Sequence, residues 1–146
     1  MYVLDTNILV LAVRKAEIWQ RVQTALSLNS SNMLISIVSQ GELYSLADQF
    51  GWGSSKQEQI SHILSQVHII PIQSETLVQA YRDIDTFSQA KHRTLKNEVG
   101  FSARNMGKND LWISATTLVT GASLVTTDAD FLHLHNVFFD VIFVKP

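Results

Sequence analysis

The sequence predicts a three-layer α/β/α fold built on a mainly parallel sheet of about five strands. Short apolar runs alternate with stretches of helical spacing from one end of the chain to the other, and the runs are too continuous to leave a wet face. No repeat, low-complexity tract or Pro/Gly-rich linker interrupts the alternation. The 146 residues therefore read as one domain, 1–146, near the common domain size of roughly 100–150 residues.

The first apolar run, 2–4, is stopped by Asp5, and β-rich runs recur at 33–37, 68–72, 123–126 and 141–144. Helix-like residues 8–13 follow Asp5. Helical spacing then recurs at Ile18, Trp19, Val22 and Leu26, at Leu43, Leu46, Ala47 and Phe50, and at Ile60, Ile63, Leu64 and Val67. It continues at Leu77, Ala80, Tyr81, Ile84 and Phe87. A last helix begins near Asp110, carries Leu111, Ala115, Leu118 and Val119, and ends at Gly121. In such sheets ligands bind beyond the carboxyl ends of the strands.

Composition narrows the function. A hydrophobic fraction of 46% with 16% charged residues argues against disorder and coiled coil. The absence of cysteine excludes disulfide scaffolds, thiol catalysis and cysteine-bound metal, and fits a reducing cytoplasm. The longest uncharged stretch, 22–41, is half Ser, Asn, Gln and Thr, so no membrane span is expected, and the amino terminus lacks the basic leader of a signal peptide. The net charge of −2 gives no global attraction for nucleic acid. Local charge does: residues 90–108 hold Lys91, Arg93, Lys96, Arg104 and Lys108 against the single acid Glu98, which predicts a long basic loop or helical arm. In that arm Phe101 is available to stack on an unpaired base.

Four acids stand at element junctions. Asp5, in Asp5-Thr6-Asn7, is placed to form an Asx turn or helix cap. Glu42, in Ser39-Gln40-Gly41-Glu42, fits a capping box. Asp110 falls in the first turn of the last helix, where an acid favours the dipole. Asp128, in Thr126-Thr127-Asp128-Ala129-Asp130, fits a turn after a strand. Each is explicable alone, yet all lie at a strand's carboxyl end or a helix's amino end, which is one edge of a parallel sheet. Gathered there they would repel unless a counter-charge intervened, and a hard cation such as Mg²⁺ or Mn²⁺ suits carboxylate oxygens. An acidic pocket holding metal beside a basic arm suits a phosphodiester substrate.

These residues carry a resemblance. Asp5-Thr6-Asn7, Glu42, the run Asn109-Asp110-Leu111-Trp112-Ile113-Ser114-Ala115 and the run from Leu124 through Asp128 to Phe131 resemble the PIN-domain family, especially the VapC-type toxin ribonucleases of prokaryotic toxin–antitoxin pairs. The resemblance implies a Mg²⁺- or Mn²⁺-dependent RNA endonuclease that forms a homodimer and is blocked by a small cognate antitoxin protein. Asp5, Glu42, Asp110 and Asp128 would be its catalytic acids, with Asp5, Asp110 and Asp128 as metal ligands. Thr6 would support the first acid, with Asn7 and Thr127 beside it, and Asp130 would help from outside. Lys91, Arg93, Lys96, Arg104 and Lys108 would hold RNA. The segment between Tyr81 and Asp110 is longer than in compact toxins.

Two other classes compete. A phosphoryl-transfer protein also ends its first strand in Asp, but its nucleophile motif would want an acid where Asn7 stands. A catalytically silent binding module would be signalled by loss of one of the four acids, and all four are present. Among the remaining candidates, Trp52 reads as a partner anchor or a core lid. Trp19 and Trp112 read as packing residues. His62 and His68 lack ligand spacing, and His133 and His135 read as surface residues of the last connection.

Overall fold

Alternating burial and helix caps set the architecture, which the computed structural model describes for all 146 residues, Met1–Pro146. The strands are β1 (Tyr2–Leu4), β2 (Met33–Ser36), β3 (His68–Ile70), β4 (Ser123–Thr126) and β5 (Val141–Phe143). The helices are α1 (Thr6–Arg14), α2 (Ala16–Leu26), α3 (Ile37–Gln49), α4 (Ser54–Ser65), α5 (Glu75–Ser88) and α6 (Lys108–Thr120), with a 3₁₀ helix at Ala129–Leu134. The strands form one sheet in the order β3-β2-β1-β4-β5, and every pairing is parallel.

Side-chain alternation along the strands divides the core in two. Leu4, Met33, Ile35 and Val125 pack with the apolar faces of α1 to α4. Val3, Leu34, Leu124 and Val141 pack on the other face with residues of α5, α6 and the 3₁₀ helix. This is the predicted three-layer arrangement. The chain leaves β1 toward β2 on one side and returns to β4 on the other, so the order reverses between β1 and β4. A crevice opens at such a point beyond the strands' carboxyl ends.

Local chemistry moves some boundaries. Ser36 ends β2 because its Oγ accepts the Val38 N–H at 3.2 Å and caps α3. Ile37, read as strand, is therefore the first residue of a helix. Glu42 consequently lies in the second turn of α3 and forms no capping box, and Ser39 is buried inside that helix. At its far end α6 stops at Gly121, whose φ of 67° is the left-handed C-cap that glycine adopts without strain.

Residues 91–107 form an irregular loop, not a helical arm, and it is tied down at both ends. The Lys91 N–H donates to the Thr86 carbonyl at 2.8 Å and the Arg104 N–H to the Ser88 carbonyl at 2.8 Å. Phe101 is half-buried: its ring sits 5.8 Å from Phe87 and 6.0 Å from His133, so part of it packs into the fold. His133 is no surface residue either. Its Nε2 lies 2.7 Å from the hydroxyl of fully buried Ser88. Trp52 is buried in the α1–α4 core, which makes it the lid and removes it as a partner anchor. No helix is long and apolar enough to cross a membrane.

Candidate active site

Strand register builds the site. The pairing of Leu4 with Val125 sets the next residues, Asp5 and Thr126, side by side at the crevice. The Asp5 N–H donates to the Val125 carbonyl at 3.0 Å, and the Asp5 carbonyl receives the Ile8 N–H at 2.9 Å, so its backbone is fixed by β4 and α1 together. Asp5 holds the N-cap position of α1, yet its side chain caps nothing. Its Oδ2 instead accepts from the Thr126 hydroxyl at 2.7 Å, and that hydroxyl oxygen accepts the Asp128 N–H at 2.9 Å. One threonine thus ties the first acid to the last.

Asp128 caps the 3₁₀ helix, accepting the Asp130 N–H at 2.8 Å. Phe131 in that helix is completely buried, and burial of such a side chain contributes about 1.5–3 kcal/mol that anchors the turn. Glu42 is gripped from across the crevice by the Thr6 hydroxyl, which donates to its Oε1 at 2.7 Å. Thr6 therefore serves two acids, Glu42 through its hydroxyl and Asp5 through its backbone N–H. Asp110 is the third residue of α6.

The acids feel one another. Asp5, with 3% of its surface exposed, has a pKa raised to about 6. Burial is the main cause, the charges of Asp128 and Glu42 add to it, and bonds from Thr126 and the Thr6 backbone oppose it. The Asp110 pKa is raised to about 7 by burial first, then by Asp5, Asp128, Glu42 and Asp130 in turn. Five carboxylates therefore converge on one edge of the sheet, and no Lys or Arg is in ion-pair contact with them. No three of them stand close enough to cage an ion as they are. Their donor set fits a divalent hard cation in charge and in atom type, since every donor is a carboxylate oxygen.

The PIN domain family model matches residues 2–136. The chain belongs to the PIN-domain family. Solved PIN-fold structures agree. VapBC2 from Rickettsia felis, bound to a DNA fragment from its promoter, has a chain that aligns with TM-score 0.75 and 23% identity over 97% of this chain and 96% of that one. VapBC-1 from nontypeable Haemophilus influenzae gives 0.69 and 20% over 97% and 96%. VapBC-5 from Mycobacterium tuberculosis, of the VapBC family of toxin–antitoxin systems, gives 0.60 and 18% over 97% of both. At these identities the likeness shows the fold. No curated protein matches the sequence.

Two grooves flank the acids of this PIN domain. One, of about 330 Å³, runs between residues 102–107 and the carboxylates of Asp110 and Asp130. It is continued by a cavity of about 220 Å³ lined by Lys91 and Arg104. Lys108, Arg93 and Lys96 are exposed but line neither. The other groove, of about 520 Å³, lies along α3 from Glu42 to Gln49, with Asn109 facing it. Asn109 and Asp110, neighbours in the first turn of α6, thus open onto opposite grooves. Asn7 is exposed, and Thr127 is half-buried beside Asp128.

Sequence reasoning missed Thr126 and Asn109. A threonine closing a strand directly before an acid carried the signal, but only the register between β1 and β4 shows that its hydroxyl meets Asp5.

Proposed function

We propose that this PIN domain is a Mg²⁺- or Mn²⁺-dependent RNA endonuclease, the toxin of a type II toxin–antitoxin pair. The observation that supports it most is the convergence of five carboxylates on one sheet edge with no Lys or Arg in ion-pair contact, where burial first and neighbouring acids second raise the pKa of Asp5 and Asp110. So many acids held unpaired destabilise a fold, and function is what retains them. Asp5, Asp110 and Asp128 would hold the ion, and Glu42, oriented by Thr6, completes the acidic wall. When bound, the ion supplies charge neutralisation at the scissile phosphate and a lowered pKa for an attacking water. Thr126 keeps Asp5 and the backbone of Asp128 in register, while Lys91 and Arg104 line the approach for the RNA backbone.

Solved neighbours carry toxin–antitoxin names, and this supports a small cognate antitoxin for this chain; a homodimer acting in the cytoplasm is part of the same proposal. An antitoxin arginine entering the acidic crevice would replace the metal's charge, because a guanidinium pairs bidentately with carboxylate.

Purified protein incubated with total RNA in EDTA, Mg²⁺ or Mn²⁺ tests the reading. Cleavage is expected with either ion and none in EDTA, and expression of the chain alone should arrest growth. RNA left intact under all three conditions rules the nuclease out. The basic loop makes a separate prediction. Five phosphate contacts on a single strand give a log–log salt slope of at most about −3.5. Replacing Lys91, Arg93 and Lys96 with Ala should flatten that slope by up to about 2 units and raise KM more than it lowers kcat. An unaltered slope in the triple variant removes RNA from the loop.

A further inference from the structure

The groove along α3 leads away from the acids toward a group of side chains that the nuclease chemistry does not use. Glu42, Ser45 and Gln49 line one stripe of the helix. At Gly41 an added Cβ would meet nothing within 4 Å, so the groove floor is open there. The next residue after Gln49 is Phe50, a phenylalanine left 46% exposed. It begins a further cavity of about 460 Å³ formed by the turn into α4.

Two cations border the Phe50–Trp52 pair. The Arg14 guanidinium carbon lies 4.2 Å from the Phe50 centroid and 5.6 Å from the Trp52 ring, while the Lys56 ammonium lies 5.3 Å from Trp52. Trp52 is buried, so it is the fixed wall against which both cations are laid. Neither has a carboxylate partner: the ion pairs of the fold are Arg82–Asp83 and His92–Asp83. Glu58, the nearest acid along α4, lines a different groove between α2 and α4. An exposed phenyl ring with one cation on it and a second on the adjoining indole has the composition of a single-strand nucleic-acid platform, in which a base stacks on the exposed part of the ring and adjacent phosphates meet the cations.

Resting on the ribonuclease reading above, we propose that Phe50, Arg14 and Lys56 form a second RNA-holding platform. It receives the strand that runs from the acidic crevice along α3, on the side opposite the basic loop. The span from Glu42 to Phe50 is eight residues of helix, or about 12 Å. A dinucleotide held at the acids therefore falls short of the platform, and a longer RNA reaches it. Positioning by the platform acts on affinity for long RNA and leaves the chemistry at the acids alone.

The test compares a dinucleotide with a single-stranded dodecanucleotide on the wild-type chain and on Phe50→Ala, Lys56→Ala and Arg14→Gln. Binding is measured in EDTA, where no cleavage occurs, and cleavage is measured separately with Mg²⁺. Phe50→Ala should weaken dodecanucleotide binding by about tenfold. Arg14→Gln and Lys56→Ala should each flatten its salt slope by about 0.7. Dinucleotide binding and cleavage should stay at the wild-type level in all three. Lys56→Ala keeps the proposal falsifiable should a change at the Phe50–Trp52 contact disturb the fold. Equal losses on both RNAs, or no loss on either, overturn the platform and leave the patch to a protein partner. A wild-type chain that favours the long RNA through these residues yet cleaves nothing would overturn the nuclease reading and keep the platform.

Discussion

Asp110→Asn is expected to abolish RNA cleavage while raising the melting temperature of the metal-free protein. Asparagine keeps the shape of the side chain and removes its charge, so α6 and its packing are undisturbed. The pKa of Asp110, raised to about 7 by burial and by four neighbouring acids, measures how strongly the fold resists that charge. Neutralising it relieves the repulsion, and each kcal/mol relieved is worth on the order of 4 °C in a domain of this size. Activity should move the other way. Loss of a partner that only orients a metal ligand costs roughly 10–100-fold, and loss of a ligand should exceed that. Asp5→Asn is expected to behave alike, because the amide oxygen can still accept the Thr126 hydroxyl. Glu42→Gln keeps an oxygen for the Thr6 hydroxyl and removes no helix cap, so inactivity there should come without a drop in melting temperature. Cleavage assays beside metal-free melting curves decide the matter: an Asp110→Asn protein that melts higher and still cuts RNA would detach the acids from catalysis.

The positions of these acids in the chain explain what the sequence made legible. Asp5, Asp110 and Asp128 stand at element boundaries that periodicity locates well, and the parallel sheet puts such boundaries on one edge. The fold class and the gathering of acids could therefore be read before any coordinates. Interactions that depend on register could not. Thr126 meets Asp5 because Leu4 pairs with Val125, and no one-dimensional pattern encodes that pairing. Glu42 looked like a cap because the run 33–37 reads as one strand; the Ser36 hydroxyl starts α3 earlier and turns Glu42 toward Thr6. Phe101 and His133 fall in stretches of low periodicity and read as surface, but the loop from Lys91 folds back through Ser88 and Phe87 and buries part of both. Trp52 was undecided for a similar reason: only the contact of α3 and α4 with α1 fills the space around it.

The pH dependence of folding should run opposite to that of proteins whose carboxylates are paired with cations. Paired acids have depressed pKa values and lose stability as pH falls. Here Asp5 and Asp110 are raised from 3.8 to about 6 and about 7, so between about pH 4 and 7 the folded state binds more protons than the unfolded one. Their contribution is fully present below about pH 4 and is lost as pH rises through the two folded values. For well-buried Asp5 the shift corresponds to about 3 kcal/mol at ~1.36 kcal/mol per unit. His133 opposes this in the acidic range. Its pKa is lowered by burial and by Arg104, so it destabilises the fold as pH falls below its ordinary value of 6.5. The acids are therefore seen most cleanly from about pH 6.5 to 8, the upper flank of the Asp110 titration. In EDTA the melting temperature should fall across that window. Saturating Mg²⁺ or Mn²⁺ should raise it most at the alkaline end, where the ligands are ionised and metal no longer competes with protons. Asp110→Asn should flatten the curve in EDTA and remove most of the metal's effect. A wild-type curve that matches the Asp110→Asn curve, with or without metal, would mean that these carboxylates neither repel one another in the folded chain nor bind an ion there.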